Sequence, residues 1–332
     1  MPPKPSRDRR DGLPTDEDAA LERIGSSLTS VLGGPPDGEL WLGDDAAVVV
    51  WPGGPLLLST DAVVGGVHAD LELVSPEDFG WKAVTAAVSD IGAMGGRPRH
   101  VLVTLAGPPG TDLDALTRGA GAAARAWGCV VVGGDVTGAP ELVVSVAVTG
   151  ALPDDPDHPA TARPAVTRSG ARPGDRLFVT GPLGASAAGL RLLRLDPADG
   201  ADQQAAGLRR AHRRPTARIG EGVAARWAGA TATMDVTDGL ALDLHRLARS
   251  SGVGFDLEVV PVAAGATADE ALGGGEDYEL IVATGDPDGL VEAYAAAGLR
   301  PPSAIGWCRA DPLRRTLAGQ PLAATGYQHR FS

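Results

Sequence analysis

A chain of 332 residues is long enough for two domains with separate cores, and 43% hydrophobic against 21% charged residues is the balance of an ordinary globular protein. The formal net charge of −13 argues against a nucleic acid or an anionic membrane as partner. No apolar run approaches the ~20 residues of a membrane-spanning helix and no signal-peptide core follows Met1, so the expected location is cytoplasmic.

In chain order, residues 1–14 are Pro-rich, carry Lys4, Arg7, Arg9 and Arg10, and read as a disordered tail. Thr15 caps an expected helix, with Asp16, Glu17 and Asp18 in its first turn and Leu21, Ile24, Leu28 and Leu32 on one face. The runs Ala46–Val50 and Pro55–Leu58 read as a hairpin turning at Pro52-Gly53-Gly54. Asp44-Asp45 precede the first run and Ser59-Thr60-Asp61 follow the second, so carboxylates at strand ends sit on rigid elements and can converge on a cleft. Asp beside Gly is equally well turn chemistry, and these residues alone leave both readings open.

Ser75-Pro76-Glu77-Asp78 starts a helix that runs through Lys82 and Val88 to Ser89-Asp90. Most of its residues are small or apolar, so it is expected to pack on several sides, and an acid at its end needs a partner or a metal. Val101–Leu105 reads as a strand, Asp112–Trp127 as a helix and Cys129–Val132 as a buried strand ending in Gly133-Gly134-Asp135. Glu141–Val148 alternates and closes a first domain over 15–150; the Pro- and Asp-rich 151–166 reads as a linker, and 167–332 as a second domain. The only cysteines, Cys129 and Cys308, lack the spacing of a zinc site and read as buried free thiols.

The second half opens on Thr167-Arg168-Ser169-Gly170, then a strand at Leu177–Thr180. Gly181–Ser186 leads into a helix through Leu195; such a loop either offers backbone N–H groups to a phosphate or is a simple connection. Helical patterns fill 202–229, and the strand Thr231–Met234 ends in Asp235-Val236-Thr237-Asp238-Gly239. In the next helix, Leu240–Ser250, His245 reads as a packing or surface histidine rather than a ligand. A strand at 253–259, the glycine run 273–275 with Glu276-Asp277-Tyr278, a strand at Glu279–Ala283, a helix near 287–297 and a strand near 303–308 complete the pattern.

The recurring event is a carboxylate just beyond an apolar run: Asp45, Asp61, Asp135, Asp235 and Asp238, with Asp90 at a helix end. Gathered in one cleft, these acids repel each other unless cations neutralise them. Oxygen ligands without a His or Cys cluster select hard ions, Mg²⁺ first and Ca²⁺ second, and several carboxylates around Mg²⁺ point to phosphoryl chemistry. A P-loop is excluded, because neither Lys4 nor Lys82 follows a glycine, and no kinase catalytic loop or strand-linked GxGxxG is present. ATP phosphates would then be held by metal ions and arginine, with Arg168 the best-placed candidate.

GDDAAVV, STDAVVGGVH, KAVTAAVSDIGAMGG, GGDVT, TRSGARPGD, DVTDGL and GGGEDYEL, in this order between Gly43 and Tyr327, resemble the thiamine-monophosphate kinase family. That family belongs to the superfamily of aminoimidazole-ribonucleotide synthetase and selenophosphate synthetase. The resemblance implies a mixed α/β fold of two domains, the first contributing its sheet to a homodimer. It implies ATP-dependent phosphorylation of thiamine monophosphate to thiamine diphosphate by direct in-line transfer, with several Mg²⁺ ions. Carried over by motif, the metal ligands are Asp45, Ser59, Thr60, Asp61, Asp90, Asp135, Asp235 and Asp238, with Asp61, Asp90, Asp135 and Asp235 the catalytic set. Gly134, Asp135, Arg168 and Thr237 contact ATP, and His68, Glu276 and Tyr327 hold the substrate. The family's Ser is Thr at 237, which keeps the hydroxyl, and its closing Trp or Phe is Tyr327.

Rival readings are another ATP-using member of the superfamily, or a silent metal- or nucleotide-binding relative. Selenophosphate synthetase usually needs a reactive Cys near its N-terminus, and no Cys precedes Cys129; the hydrogenase-maturation relative carries a C-terminal Cys where this chain has Ser332. The intact acidic blocks count against a silent protein, which has no need of unpaired acids.

Overall fold

The computed structural model describes residues 34–41, 44–52, 54–154, 163–196 and 202–329, together with Ser26 and Ser30. The tail at 1–14, most of the helix expected from Thr15 and the middle of the 151–166 connection lie outside the described residues.

The expected hairpin forms from β1 (Ala47–Trp51) and β2 (Gly54–Val64), with Ala47 opposite Leu58. β2 does not stop before Ser59. It continues through Ser59-Thr60-Asp61 to Val64 because β5 (Val143–Ala151) pairs with it along its length, Asp61 opposite Val146. Asp61 therefore sits inside a strand rather than beyond one. Leu57 and Val63 are buried in the first core, so Ser59 and Asp61 lie on the same inner face, and Thr60 and Ala62 on the outer one.

β3 (Arg97–Gly107) and β4 (Val130–Gly138) complete a five-stranded sheet of order β1-β2-β5-β3-β4. α1 (Pro76–Ala93) and α2 (Leu113–Ala126) share the first core with its inner face. Both helices begin where capping chemistry sets them: Ser75 Oγ accepts from Asp78 N at 3.1 Å and Asp112 Oδ1 from Ala115 N at 2.9 Å. They cross at paired glycines, where a Cβ on Gly119 would stand 1.7 Å from the Glu77 carbonyl oxygen and one on Gly80 2.1 Å from that of Leu116. β4 is not the buried strand its apolar run suggests. It is the edge of the sheet, exposed throughout, and it includes Gly134 and Asp135 instead of ending before them.

The second half is built on seven strands in the order β12-β11-β8-β10-β6-β9-β7. Those expected from sequence are β6 (Arg176–Val179), β7 (Ala232–Asp235), β8 (Gly254–Leu257), β9 (Leu280–Thr284) and β10 (Ser303–Arg309). The short β11 (Arg315–Leu317) and β12 (Gln320–Pro321) extend one edge. Alternation splits β6 and β9 between two cores: Leu177, Val179, Ile281 and Ala283 face one side, Phe178, Leu280 and Val282 the other.

The helices of this half are α3 (Ala185–Leu195), α4 (Gln203–Arg213), α5 (Ile219–Trp227), α6 (Leu240–Ser251), α7 (Ala268–Gly273) and α8 (Pro287–Ala296). Ala93, at the end of α1, belongs to the core shared with α5 and α8, so α1 joins the two halves. Cys129 and Cys308 are buried free thiols. Among the described residues no helix is long and apolar enough to cross a membrane.

Candidate active site

α1 supplies the centre of the site from its last two turns. Asp90 meets Asp45, just before β1, and Asp235, the last residue of β7; one carboxylate oxygen of each lies within 4.8 Å of the others. Residues of α1 and β2 hold them in place. Ser59 Oγ donates to Asp90 Oδ2 at 2.5 Å, and Ser89 Oγ donates to Asp235 Oδ2 at 2.5 Å. Burial, then the neighbouring acids, pushes the Asp90 carboxyl well above its ordinary range; burial and Asp45 do the same to Asp235. Burial also raises Asp45, against the pull of Arg168, and leaves its Oδ2 with no hydrogen-bond partner.

A buried group of oxygen donors short of positive charge fits a hard divalent cation and fits nothing apolar. Arg168 now supplies the neighbouring charge: its guanidinium hydrogen-bonds Asp45, and its backbone N–H donates to Asp44 Oδ2 at 3.0 Å. Burial alone would lower the Arg168 pKa, but Asp45 and Asp44 beside it raise it.

Asp61, Thr60 and Asp238 line a cavity of about 970 Å³ that Asp90 also borders, and burial raises the Asp61 pKa. The loop carrying Thr237 and Asp238 is organised by Asp243, whose Oδ2 accepts from the N–H groups of Thr237, Asp238 and Gly239 at 3.0, 3.0 and 3.1 Å. Burial takes the Asp243 carboxyl up to about 7. Arg246 bridges Asp238 and Asp243. Against this loop lies the glycine run, where a Cβ on Gly275 would come 2.3 Å from the Thr237 carbonyl oxygen.

His68, Glu276 and Tyr327 line the same cavity. The rings of His68 and Tyr327 are joined through His329, with centroids 5.2 and 4.9 Å from it. His68 Nδ1 accepts from Val64 N at 3.0 Å, and burial lowers its pKa, which together describe a neutral ring carrying its proton on Nε2.

Two expected residues stand apart. Gly134 and Asp135 lie on β4, separated from β2 by β5 and β3, or about 14 Å of strand spacing. Asp135 pairs with Thr104, which pairs with Ser145 and so with Ala62, on the outer face, opposite to that of Asp61. The Gly181–Ser186 loop is a connection and offers no free phosphate nest, because Asp277 accepts from Gly184 N at 2.6 Å and Ser186 N at 3.2 Å. His245 packs as expected, Nε2 at 3.0 Å from the Leu322 carbonyl oxygen.

Residues that sequence reasoning missed are Asp243, Ser89 and above all Lys82, which is fully buried and bridges to Glu276 at 2.7 Å. The available signal was a lone lysine leading the mostly small, apolar stretch Ala83–Val88.

Two mixed α/β halves joined through a central helix, with buried acids at their junction, define the class. The chain matches the AIR synthase related protein N-terminal domain over residues 43–152 and the corresponding C-terminal domain over 172–315. Within that class, the chain belongs to the thiamine-monophosphate kinase family. It is 36% identical to the thiamine-monophosphate kinase of Corynebacterium glutamicum over 259 residues, 73% of this chain and 76% of that one. It is 36% identical to that of Halobacterium salinarum over 328 residues, 95% of this chain and all (100%) of that one. A solved structure described as AaThiL complexed with AMPPCP and TMP superimposes with a TM-score of 0.78 at 30% identity, covering 92% of this chain and 96% of the other.

Proposed function

We propose that this protein transfers the γ-phosphoryl group of ATP to the phosphate of thiamine monophosphate, giving thiamine diphosphate and ADP. The observation that carries this reading is the junction of two unlike environments: a carboxylate cluster borders, through Asp90, a cavity that Glu276 and the His68–His329–Tyr327 rings also line. Glu276 suits the exocyclic amine of an aminopyrimidine, and the aromatic wall suits a flat ring. Asp45, Asp90 and Asp235, with Asp61, Asp238, Ser59 and Thr60, would hold Mg²⁺; Asp135, on the opposite face of the sheet, stands outside this set. The ions, when bound, offset the charge of the phosphates and orient them for in-line displacement. The chain's own part is positional. Ser59 and Ser89 fix the carboxylates, and Arg168 and Thr237, which flank the cluster, are the proposed ATP contacts.

The exposed valines of β4, Val130, Val131, Val132 and Val136, support a homodimer formed along that edge. An ATP-consuming reaction and two free thiols fit a cytoplasmic setting. The reading is tested by turnover with ATP, Mg²⁺ and thiamine monophosphate. EDTA abolishes it, and Asp61→Asn lowers kcat by about 10²-fold or more while far-UV circular dichroism stays that of the folded wild type. A variant with near-normal kcat would remove Asp61 from the mechanism.

A further inference from the structure

We infer that Lys82 is the positioning residue of the substrate's ring, holding Glu276 and the His68 segment as a matched acceptor and donor at the cavity wall. The inference rests on the activity proposed above and adds a residue that the metal and substrate motifs do not contain.

Lys82 is 0% exposed, and an ammonium group removed from water persists only with partners. It has two, from different parts of the chain: Glu276 Oε2 at 2.7 Å and the His68 carbonyl oxygen at 3.1 Å. Both of those residues line the cavity. Glu276 sits at φ 64°, a left-handed conformation uncommon for a side chain of its size, so its placement must be imposed. Two contacts impose it, the N–H bond to the Thr237 carbonyl oxygen at 2.7 Å and the Lys82 ion pair.

With Oε2 engaged by Lys82, Oε1 has no hydrogen-bond partner among the described residues and is left to accept from substrate. His68, with Nδ1 accepting from Val64 N, presents Nε2–H as a donor. An acceptor and a donor tied to one ammonium and lining one cavity complement the edge of an aminopyrimidine, which offers an amine N–H beside a ring nitrogen. α1 also sets the distance. Lys82 and Ser89, two turns and about 10 Å apart on one helix face, both reach into the second half, one to Glu276 and the other to Asp235. The ring end and the phosphate end of the site are thus gauged by a single rigid element.

The test compares Lys82→Met, Lys82→Arg, Glu276→Gln and the double variant Lys82→Met/Glu276→Gln by steady-state kinetics in both substrates. Lys82→Met is expected to raise KM for thiamine monophosphate about 10- to 100-fold and to leave kcat and the KM for ATP within about threefold. Lys82→Arg, which keeps the cation, recovers part of that loss. In the Glu276→Gln background, adding Lys82→Met changes KM by less than about threefold, because the two residues act as one. Equal rises in both KM values, or an undiminished Lys82→Met effect in the Glu276→Gln background, would overturn the inference. Should Lys82→Met not fold, Lys82→Gln is read by the same two KM values and the same criteria. A wild-type enzyme inactive on thiamine monophosphate would overturn the proposed activity and the inference with it, a result distinct from failure of the variant pattern alone.

Discussion

Asp90 and Asp235 carry a stability cost in the metal-free protein. Their folded-state pKa values are raised, so folding favours the protonated acids, and that contribution is lost as pH rises through the folded pKa. Asp44, raised from 3.8 to about 6, and Asp243, raised from 3.8 to about 7, follow the same sign. Their contributions are complete below pH 3.8 and gone above about pH 7. In EDTA, the melting temperature attributable to these groups therefore falls from mildly acidic to mildly alkaline pH. Asp90→Asn removes one repelling charge and raises the alkaline value by about 1–2 °C per kcal/mol relieved, while abolishing turnover. A melting temperature lowered by Asp90→Asn would show that the cluster is not under electrostatic stress. Of these residues Asp90 and Asp235 were legible in the sequence, the first as an acid in a helix rich in alanine and valine, the second as a carboxylate at the end of an apolar run. The same logic applies to Lys82, whose partner Glu276 lies 194 residues away and could not be read from any local pattern.

The crossing of α1 and α2 separates two glycines that look alike in sequence. Gly119 faces the Glu77 carbonyl at a distance no Cβ tolerates, whereas nothing stands within 4 Å of a Cβ on Gly121. Gly119→Ala should destabilise by about 1–3 kcal/mol through forced separation of the helices. Gly121→Ala should stabilise by about 0.5–1 kcal/mol through lower chain entropy in the unfolded state. Urea unfolding of both variants gives opposite shifts in midpoint, and shifts of the same sign would contradict the packing described. Helix starts were legible because their signals are local: Ser75 caps the helix it was expected to start, and Asp112, read as the first residue of the second helix, turns out to be its cap. The strands were less so. β2 runs past Ser59 because of pairing with β5, and the Gly181–Ser186 loop lost its phosphate-binding character to Asp277, more than ninety residues on.

For the molecule as a whole, the apolar run of β4 reads as a buried strand, yet a strand covered by a second copy of the chain carries the same pattern. If β4 is the interface of the proposed homodimer, Val132→Lys, at a residue 57% exposed in the protomer, shifts sedimentation from dimer to monomer without unfolding either half. A wild-type protein that sediments as a monomer would remove the dimer. The two-half architecture itself was legible because seven motif blocks occur in family order, whereas how the halves meet across α1 was not.

The most direct test of the proposed activity is ³¹P NMR of the protein incubated with ATP, Mg²⁺ and thiamine monophosphate. The expected result is loss of the thiamine monophosphate resonance with growth of thiamine diphosphate and ADP in equal amounts. ADP formed with thiamine monophosphate unchanged, or only in the presence of an aminoimidazole precursor, would contradict it.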